Sequence, residues 1–347
     1  MNELLLRRRT LLQSGLSTDP YLLQPFTITF DTATTFSIFT SNSGIASEDN
    51  PLSSLYIRIN DGEWQQGVYL EDWMAWVFNG KDEINVSVGD SLQIKAVGAW
   101  GTTGGDYFSI CLGSSSARCV LSGNINSLVH GDNFVNATTM PDYALYNAFY
   151  DNSLYFSGCY TDISNLRLPA TTVGKYAYCN LFYGSRITSA PELPATTLDE
   201  RCYSGMFAYC TSLIQAPDLP ATSLASFCYA SMFYGCTSLE QAPTLPATTL
   251  VANCYRQMFR DCSKLTQAPI LPATTLVSNC YYQLFYHCSN LNYIKAMFTT
   301  TPSTSYTSNW VNGVKSTGTF VKNSAASWNV TGNAGVPSGW TVQTSNS

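Results

Sequence analysis

The sequence predicts a mixed α/β chain in two parts: an N-terminal antiparallel β-sandwich, then a short solenoid of 26-residue units with a C-terminal cap. Three observations predict it. The string Leu-Pro-Ala-Thr-Thr/Ser begins at Leu168, Leu193, Leu219, Leu245 and Leu271, at spacings of 25, 26, 26 and 26 residues, and self-similarity at a fixed period is the signature of a repeat architecture. Within each unit the apolar residues fall at helix-like steps. Before residue 121 the texture changes to short alternating runs broken by turn residues.

The unit beginning at Leu193 reads LPATTLDERCYSGMFAYCTSLIQAPD. Leu198, Cys202, Met206, Phe207 and Cys210 stand at i, i+4, i+8, i+9 and i+12, the spacing of one helix face. Thr197 and Glu200 suit a capping box that the other units lack. Leu213, Ala216 and Leu219 follow at three-residue steps, similar to the strand-and-bend portion of a leucine-rich repeat. Pro217 and Pro220 recur in the later units, and proline cannot donate into a sheet ladder. The strand is therefore confined to about Leu213–Ala216, followed by an extended, unpaired Ala-Pro-x-Leu-Pro segment. One unit cannot bury its own apolar side, but stacking forms columns: Phe207, Phe233, Phe259 and Phe285; Met206, Met232, Met258 and Leu284; Leu213, Leu239, Leu265 and Leu291. The stretch from Ala144 to Leu166 reads as a degenerate opening unit.

Twelve cysteines invite disulfides or zinc. Cys202 and Cys210 are eight apart, about 12 Å along a helix, beyond the roughly 7 Å that a disulfide spans. No CxxC pair or zinc-like histidine spacing occurs. The repeat cysteines read as small buried hydrophobes, and no metal or cofactor is expected. Cys111 and Cys119 differ: they are symmetric about a turn in SICLGSSSARCVL, and a bridge across a hairpin stays open for them.

In the N-terminal part, PFTITFDTATTFSIFTS alternates as half-buried strands do. Asp61-Gly62 and Gly89-Asp90 each read as a hairpin turn. At least six short strands suggest the sandwich. Trp64 is expected in its core, while Trp73, Trp76 and Trp100 are core or sugar-stacking candidates. After Ala296 the period is lost, and the remainder reads as a cap. The organisation predicted is an arm at 1–22, the sandwich at 23–121, the solenoid at 122–298 and the cap at 299–347.

Charge excludes one class of partner. The net charge is −6, and a nucleic-acid partner would need a basic face. No run approaches the roughly 18 apolar residues of a membrane span. At the start, Leu4, Leu5 and Leu6 precede Arg7, Arg8 and Arg9, the reverse of a secretory signal, which predicts a short docking arm. Oligomeric state is not legible, and a homo-oligomer is compatible with the sequence.

Catalytic signatures are missing. His287 sits in a column with Tyr209, Gly235 and Asp261, and His130 lies beside Asp132 without a GxSxG nucleophile. No phosphate, dinucleotide or calcium loop appears. The chain is therefore read as a non-enzyme. Fixed columns are core, and changing ones are expected to be exposed and free to specialise. The 208 column holds Ala208, Tyr234, Arg260 and Tyr286, and the 204 column holds Ser204, Ala230, Arg256 and Tyr282. Tyr and Arg dominate contact energetics, so Arg256, Arg260, Tyr234, Tyr282 and Tyr286 are the candidate binding residues.

The units CYSGMFAYCTSL, CYASMFYGCTSL and CYRQMFRDCSKL resemble the BspA-like leucine-rich-repeat family, with its Met-Phe-x-x-Cys-x-x-Leu core. LSGNINSLVHGDNF and WVNGVKSTGTFVKN…GVPSGW resemble the flanks of such proteins from gut Bacteroidales and their phages. The resemblance covers roughly residues 120 to 342 and implies surface adhesion without catalysis. The expectation is a virion structural protein, a phage tail or head appendage at the virion surface. Its arm would meet other virion proteins, and its repeat would bind a host-surface protein or polysaccharide. The alternatives are a bacterial cell-surface adhesin and, further off, a carbohydrate-binding module or glycan-active enzyme.

Overall fold

The computed structural model describes residues 19–40, 52–73, 75–102, 107–113, 117–149 and 160–346. Leu4–Leu6 and Arg7–Arg9, the predicted arm residues, lie outside them, as do the side chains of Trp73 and Cys111. No helix among the described residues is long and apolar enough to cross a membrane.

Two sheets form around a common apolar cluster in the first part of the chain. The larger runs in the order Tyr160–Arg167, Cys119–Asn124, Phe26–Phe30, Ser91–Gly98, Leu52–Ile59, Gln65–Gln66. The smaller pairs Thr34–Thr40 with Ala75–Val77, Ile84–Val86 and Phe108–Leu112, and Ala75–Val77 in turn with Val68–Leu70. Alternation places Phe26, Ile28 and Phe30, and Leu92, Ile94 and Ala96, in the core beside Phe36 and Ile38 of the other sheet. The larger sheet is antiparallel except at one edge, where Tyr160–Arg167 runs parallel to Cys119–Asn124.

Two local readings change here. The turn at Gly89-Asp90 makes no hairpin. Ile84–Val86 and Ser91–Gly98 belong to different sheets, and the turn anchors to Phe30 through Gly89 N–H to Phe30 O at 2.8 Å and Phe30 N–H to Asp90 O at 3.0 Å. Cys111 and Cys119 likewise lie on strands of different sheets, so the hairpin that would have faced them does not form. The Asp61-Gly62 hairpin does form, turning through Asn60 at φ 52°.

The mixed α/β class and the helix-and-strand leucine-rich-repeat solenoid are overturned. The protein is mostly β, with 29% strand against 7% helix; among the described residues the strands form four separate sheets, and the α-helices, Ser127–His130 and Thr304–Thr307, hold four residues each. The predicted repeat helix is a chain of overlapping turns. Cys202, Ser204, Met206, Ala208 and Cys210 each donate their N–H to the carbonyl three residues back, at 2.9–3.3 Å. The residues between them donate outward to the next unit: Tyr203 to Cys228 O (3.0 Å), Gly205 to Ala230 O (2.9 Å) and Phe207 to Met232 O (3.0 Å). Arg201, Gly205 and Tyr209 have φ of 56°, 63° and 60°. A left-handed residue at every fourth position is incompatible with a right-handed helix. The predicted strand at Leu213–Ala216 contracts to single bridges, Ser189 to Gln215 and Gln215 to Gln241, because Pro217 and Pro220, which follow at once, withhold donors.

The predicted columns do form. Ring centroids in the Phe column are 5.5 Å apart from Phe26 to Phe149, 6.0 Å to Phe182, then 5.7–5.8 Å through Phe207, Phe233 and Phe259 to Phe285. Trp310 follows at 6.2 Å. A parallel column runs through Tyr178, Tyr203, Tyr229, Tyr255 and Tyr281 at 5.6–6.1 Å. One aromatic stack therefore links the first sheet, the repeat and the residues after it. Pro141–Phe149 joins as the opening layer, through Leu145 N–H to Ala177 O at 2.8 Å.

The cysteines complete these columns. Cys202, Cys210, Cys228, Cys236, Cys254, Cys262, Cys280 and Cys288 are fully buried free thiols. Cys210, Cys236, Cys262 and Cys288 each donate S–H to a Phe carbonyl of the preceding unit at 2.9–3.1 Å. Ser185 fills the same position in the first unit and donates to Phe182 O at 2.7 Å. Burial pushes the thiols up from 9.0, to about 12 at Cys202 and about 11 at Cys280.

Three outcomes are expected. Phe233→Ala removes the middle of the stack and costs about 3–5 kcal/mol in denaturant unfolding; a loss near zero would show that the column carries no stability. The eight thiols should resist maleimide at neutral pH until the chain unfolds, as read by mass mapping. Because their folded values lie above the unfolded one, stability holds below about pH 9 and falls as pH rises through about 11; a flat alkaline profile would contradict this.

Candidate functional site

The turn chain sets which side chains face out. In the turn at 203–206 the outer pair is Ser204 and Gly205, and in the turn at 207–210 it is Ala208 and Tyr209. The same positions two units on carry Arg256 and Gln257, then Arg260 and Asp261. The next unit carries Tyr282 and Gln283, then Tyr286 and His287. Second positions take φ > 0 throughout: 60° at Tyr209, 56° at Gln257, 62° at Asp261, 50° at Gln283 and 58° at His287. Gly205 and Gly235 show that glycine satisfies this backbone at less cost.

The five predicted residues gather into one face. The Arg260 guanidinium lies between the rings of Tyr234, at 5.1 Å, and Tyr286, at 4.7 Å. Arg256 stacks over Tyr282 at 4.1 Å. Gln283, which sequence reasoning missed, ties the two groups together: its Oε1 accepts from Arg260 Nη1 and from Gln257 Nε2, both at 2.8 Å. Arg260 Nε is 3.3 Å from Asp261 Oδ2, and Asp261 Oδ1 is 3.2 Å from His287 Nδ1. The face continues through Tyr234 and Tyr209, 4.8 Å apart, to Tyr183, a further 5.2 Å away. A Cβ at Gly235 would come within 2.8 Å of the Tyr209 ring, so glycine there leaves room for the tyrosine. The hydrogen bond with Tyr234 holds the Tyr209 phenol above its ordinary value, with burial adding to it.

Variable positions were expected to be exposed. Instead Arg256, Arg260, Tyr234, Tyr282 and Tyr286 are half-buried, while Ala208 and Ala230 are buried. The large side chains cover one another by cation–π stacking, worth about 0.5–2 kcal/mol per contact. A second rail was missed. Tyr143 and Tyr176 stack at 5.1 Å, and the Arg201 guanidinium sits 5.7 Å from Tyr176 and 3.9 Å from Phe227. These residues share the second position of an earlier turn, also at φ > 0. A bulky residue wherever other units use asparagine, as at Asn253 and Asn279, was the available signal.

The other candidates separate. His130 Nε2 meets Thr139 O at 2.7 Å, and Asp132 bonds Lys95 Nζ at 2.6 Å. The neighbouring His and Asp therefore have different partners. Trp100 is buried and donates to Leu128 O at 2.7 Å, and Trp76 is buried. Trp64, expected in the core, lies half-buried on the sheet surface with Lys95 4.0 Å and Arg58 5.0 Å from its ring centroid.

The face predicts a titration. Tyr234→Phe removes one hydroxyl and should bring Tyr209 back toward an ordinary phenol, measured by NMR of ring-labelled tyrosine. An unmoved Tyr209 would show that the two hydroxyls do not bond.

Compared with family models, curated proteins and solved structures, the chain finds no match in any of the three.

Proposed function

We propose that the chain is a non-enzymatic adhesion protein that binds a host-surface receptor through the outer corners of its stacked turns, carried at the virion surface as a phage tail or head appendage. One observation supports the binding role above others: the variable positions of successive units converge on a single Tyr/Arg face while the constant positions fill the core. Tyr and Arg are the residues that most often anchor contact surfaces. The virion setting rests on the resemblance of the repeat and its flanks to BspA-like proteins of gut Bacteroidales and their phages. In that setting Leu4–Arg9 would meet other virion proteins. A bacterial cell-surface adhesin is the second setting.

The test pairs attachment with stability. Tyr234→Ala with Tyr286→Ala should weaken attachment of the full chain to host cells by about tenfold or more. The melting temperature should fall by only a few degrees, since the lost contacts are partly exposed. Attachment unchanged by the pair would remove this face as the receptor site. Mass spectrometry of purified particles separates the two settings, and absence of the chain from particles would sink the virion reading.

A further inference from the structure

We propose that Arg256 and Gln257, stacked against Tyr282 and Gln283 of the next unit, form a subsite for an acidic saccharide, with Arg256 taking the carboxylate of a uronate-type residue and the two amides an adjoining hydroxyl. The inference rests on the reading of this face as the contact surface and names the ligand chemistry it would take.

The two arginines of the face differ. Arg260 spends its fork internally, on Gln283 and Asp261. Arg256 is held flat on Tyr282, yet no described residue accepts a hydrogen bond from its guanidinium or pairs its charge. The acid of the face, Asp261, already meets Arg260 and His287. The equivalent position in the preceding unit is Ala230, too short to cover the other side of the guanidinium. A planar cation held in place with open donors matches a carboxylate in a two-point grip.

The amides beside it also have unused groups. Gln257 gives its NH2 to Gln283 Oε1, which leaves Gln257 Oε1 as an open acceptor. Gln283 uses its oxygen twice, which leaves its NH2 as an open donor. A donor and an acceptor side by side match a hydroxyl, which both gives and takes a hydrogen bond.

The backbone argues for a sugar rather than a peptide. Arg256 N–H goes to Asn253 O, Gln257 N–H to Tyr282 O, Tyr282 N–H to Asn279 O and Gln283 N–H to Ser308 O. The carbonyls of Arg256, Gln257, Tyr282 and Gln283 accept from Ser231, Arg260, Gln257 and Tyr286. With every main-chain group at the corner occupied, a peptide finds no edge to pair with. A saccharide, whose polar groups are all side substituents, needs only the side chains.

The experiment is calorimetric titration of the full chain with a panel of oligouronates, their methyl esters, and a poly-glutamate peptide of matched length. The expected result is binding of an oligouronate and about ten- to a hundredfold weaker binding of its ester, the range of one charge-assisted grip. Arg256→Lys, which keeps the charge and loses the fork, should weaken binding by about tenfold. Gln283→Ala should weaken it less, and its melting temperature serves as the folding control. Binding of the ester as tight as the acid, poly-glutamate bound as tightly as any oligouronate, an unaffected Arg256→Lys chain, or no binding across the panel would each overturn the proposal. Cell attachment that survives Arg256→Lys but not the Tyr234/Tyr286 pair would overturn the saccharide subsite alone and leave the adhesion reading standing.

Discussion

The structure depends on one hydrogen-bonding rule: in each unit alternate residues bond within the turn chain, and the residues between them bond to the unit that follows. Tyr203, Gly205 and Phe207 have no partner for their N–H groups inside their own unit. Buried and unpaired, each would cost on the order of 1–3 kcal/mol. A single unit is thus not a stable object, and its neighbour supplies both acceptors and apolar cover. The same rule fixes the register that puts ring over ring in the Phe and Tyr columns. It also brings the thiol of Cys236 under the carbonyl of Phe207.

That rule divides each unit into two kinds of position. Residues pointing into the stack face the same residue from above and below, so a change in one unit disturbs two interfaces. The outer corner residues have no such obligation. They still interact along the stack, as Arg260 does with Tyr234 and Tyr286, so the face is a cooperative surface rather than a set of independent exposed side chains. Its side chains are partly fixed before any ligand arrives, which lowers the ordering cost of binding.

Much of this was legible in the residues, and the errors share a cause. The 26-residue period and the Phe and Met columns followed from self-similarity alone; the thiols are buried and free as read, although the helix spacing used to reach that reading does not exist. The helix did not, because Cys202, Met206 and Cys210, and Tyr203 and Phe207, recur at steps of four. Over one or two steps, four is close to the 3.6 of an α-helix. The separating clue was the chemistry of the residues between: Gly205, Gly235, Asn253 and Asn279 fall where φ is positive. In the first part, alternation showed which residues are buried but not which sheet each strand joins. Gly89-Asp90 looks the same in sequence whether it closes a hairpin or crosses between sheets. The five candidate residues were singled out because their columns vary. Gln257 and Gln283 were overlooked because an amide carries no charge or ring to attract notice.

The shorter first unit shows what the stacking rule permits over evolutionary time. Its turn block keeps the bonding of the others as far as Gly184 N–H to Ala208 O, and its missing residue falls in the stretch after Ser185. One residue fewer is therefore accommodated between the turn block and the proline-bearing segment, whereas a gain or loss inside the turn block would move every alternate donor off its acceptor. Whole units can be duplicated or excised without creating a foreign junction. A lineage carrying this architecture can thus lengthen or shorten its reach, and reshuffle its corner residues, by recombination between near-identical Leu-Pro-Ala-Thr segments while the interior stays unaltered.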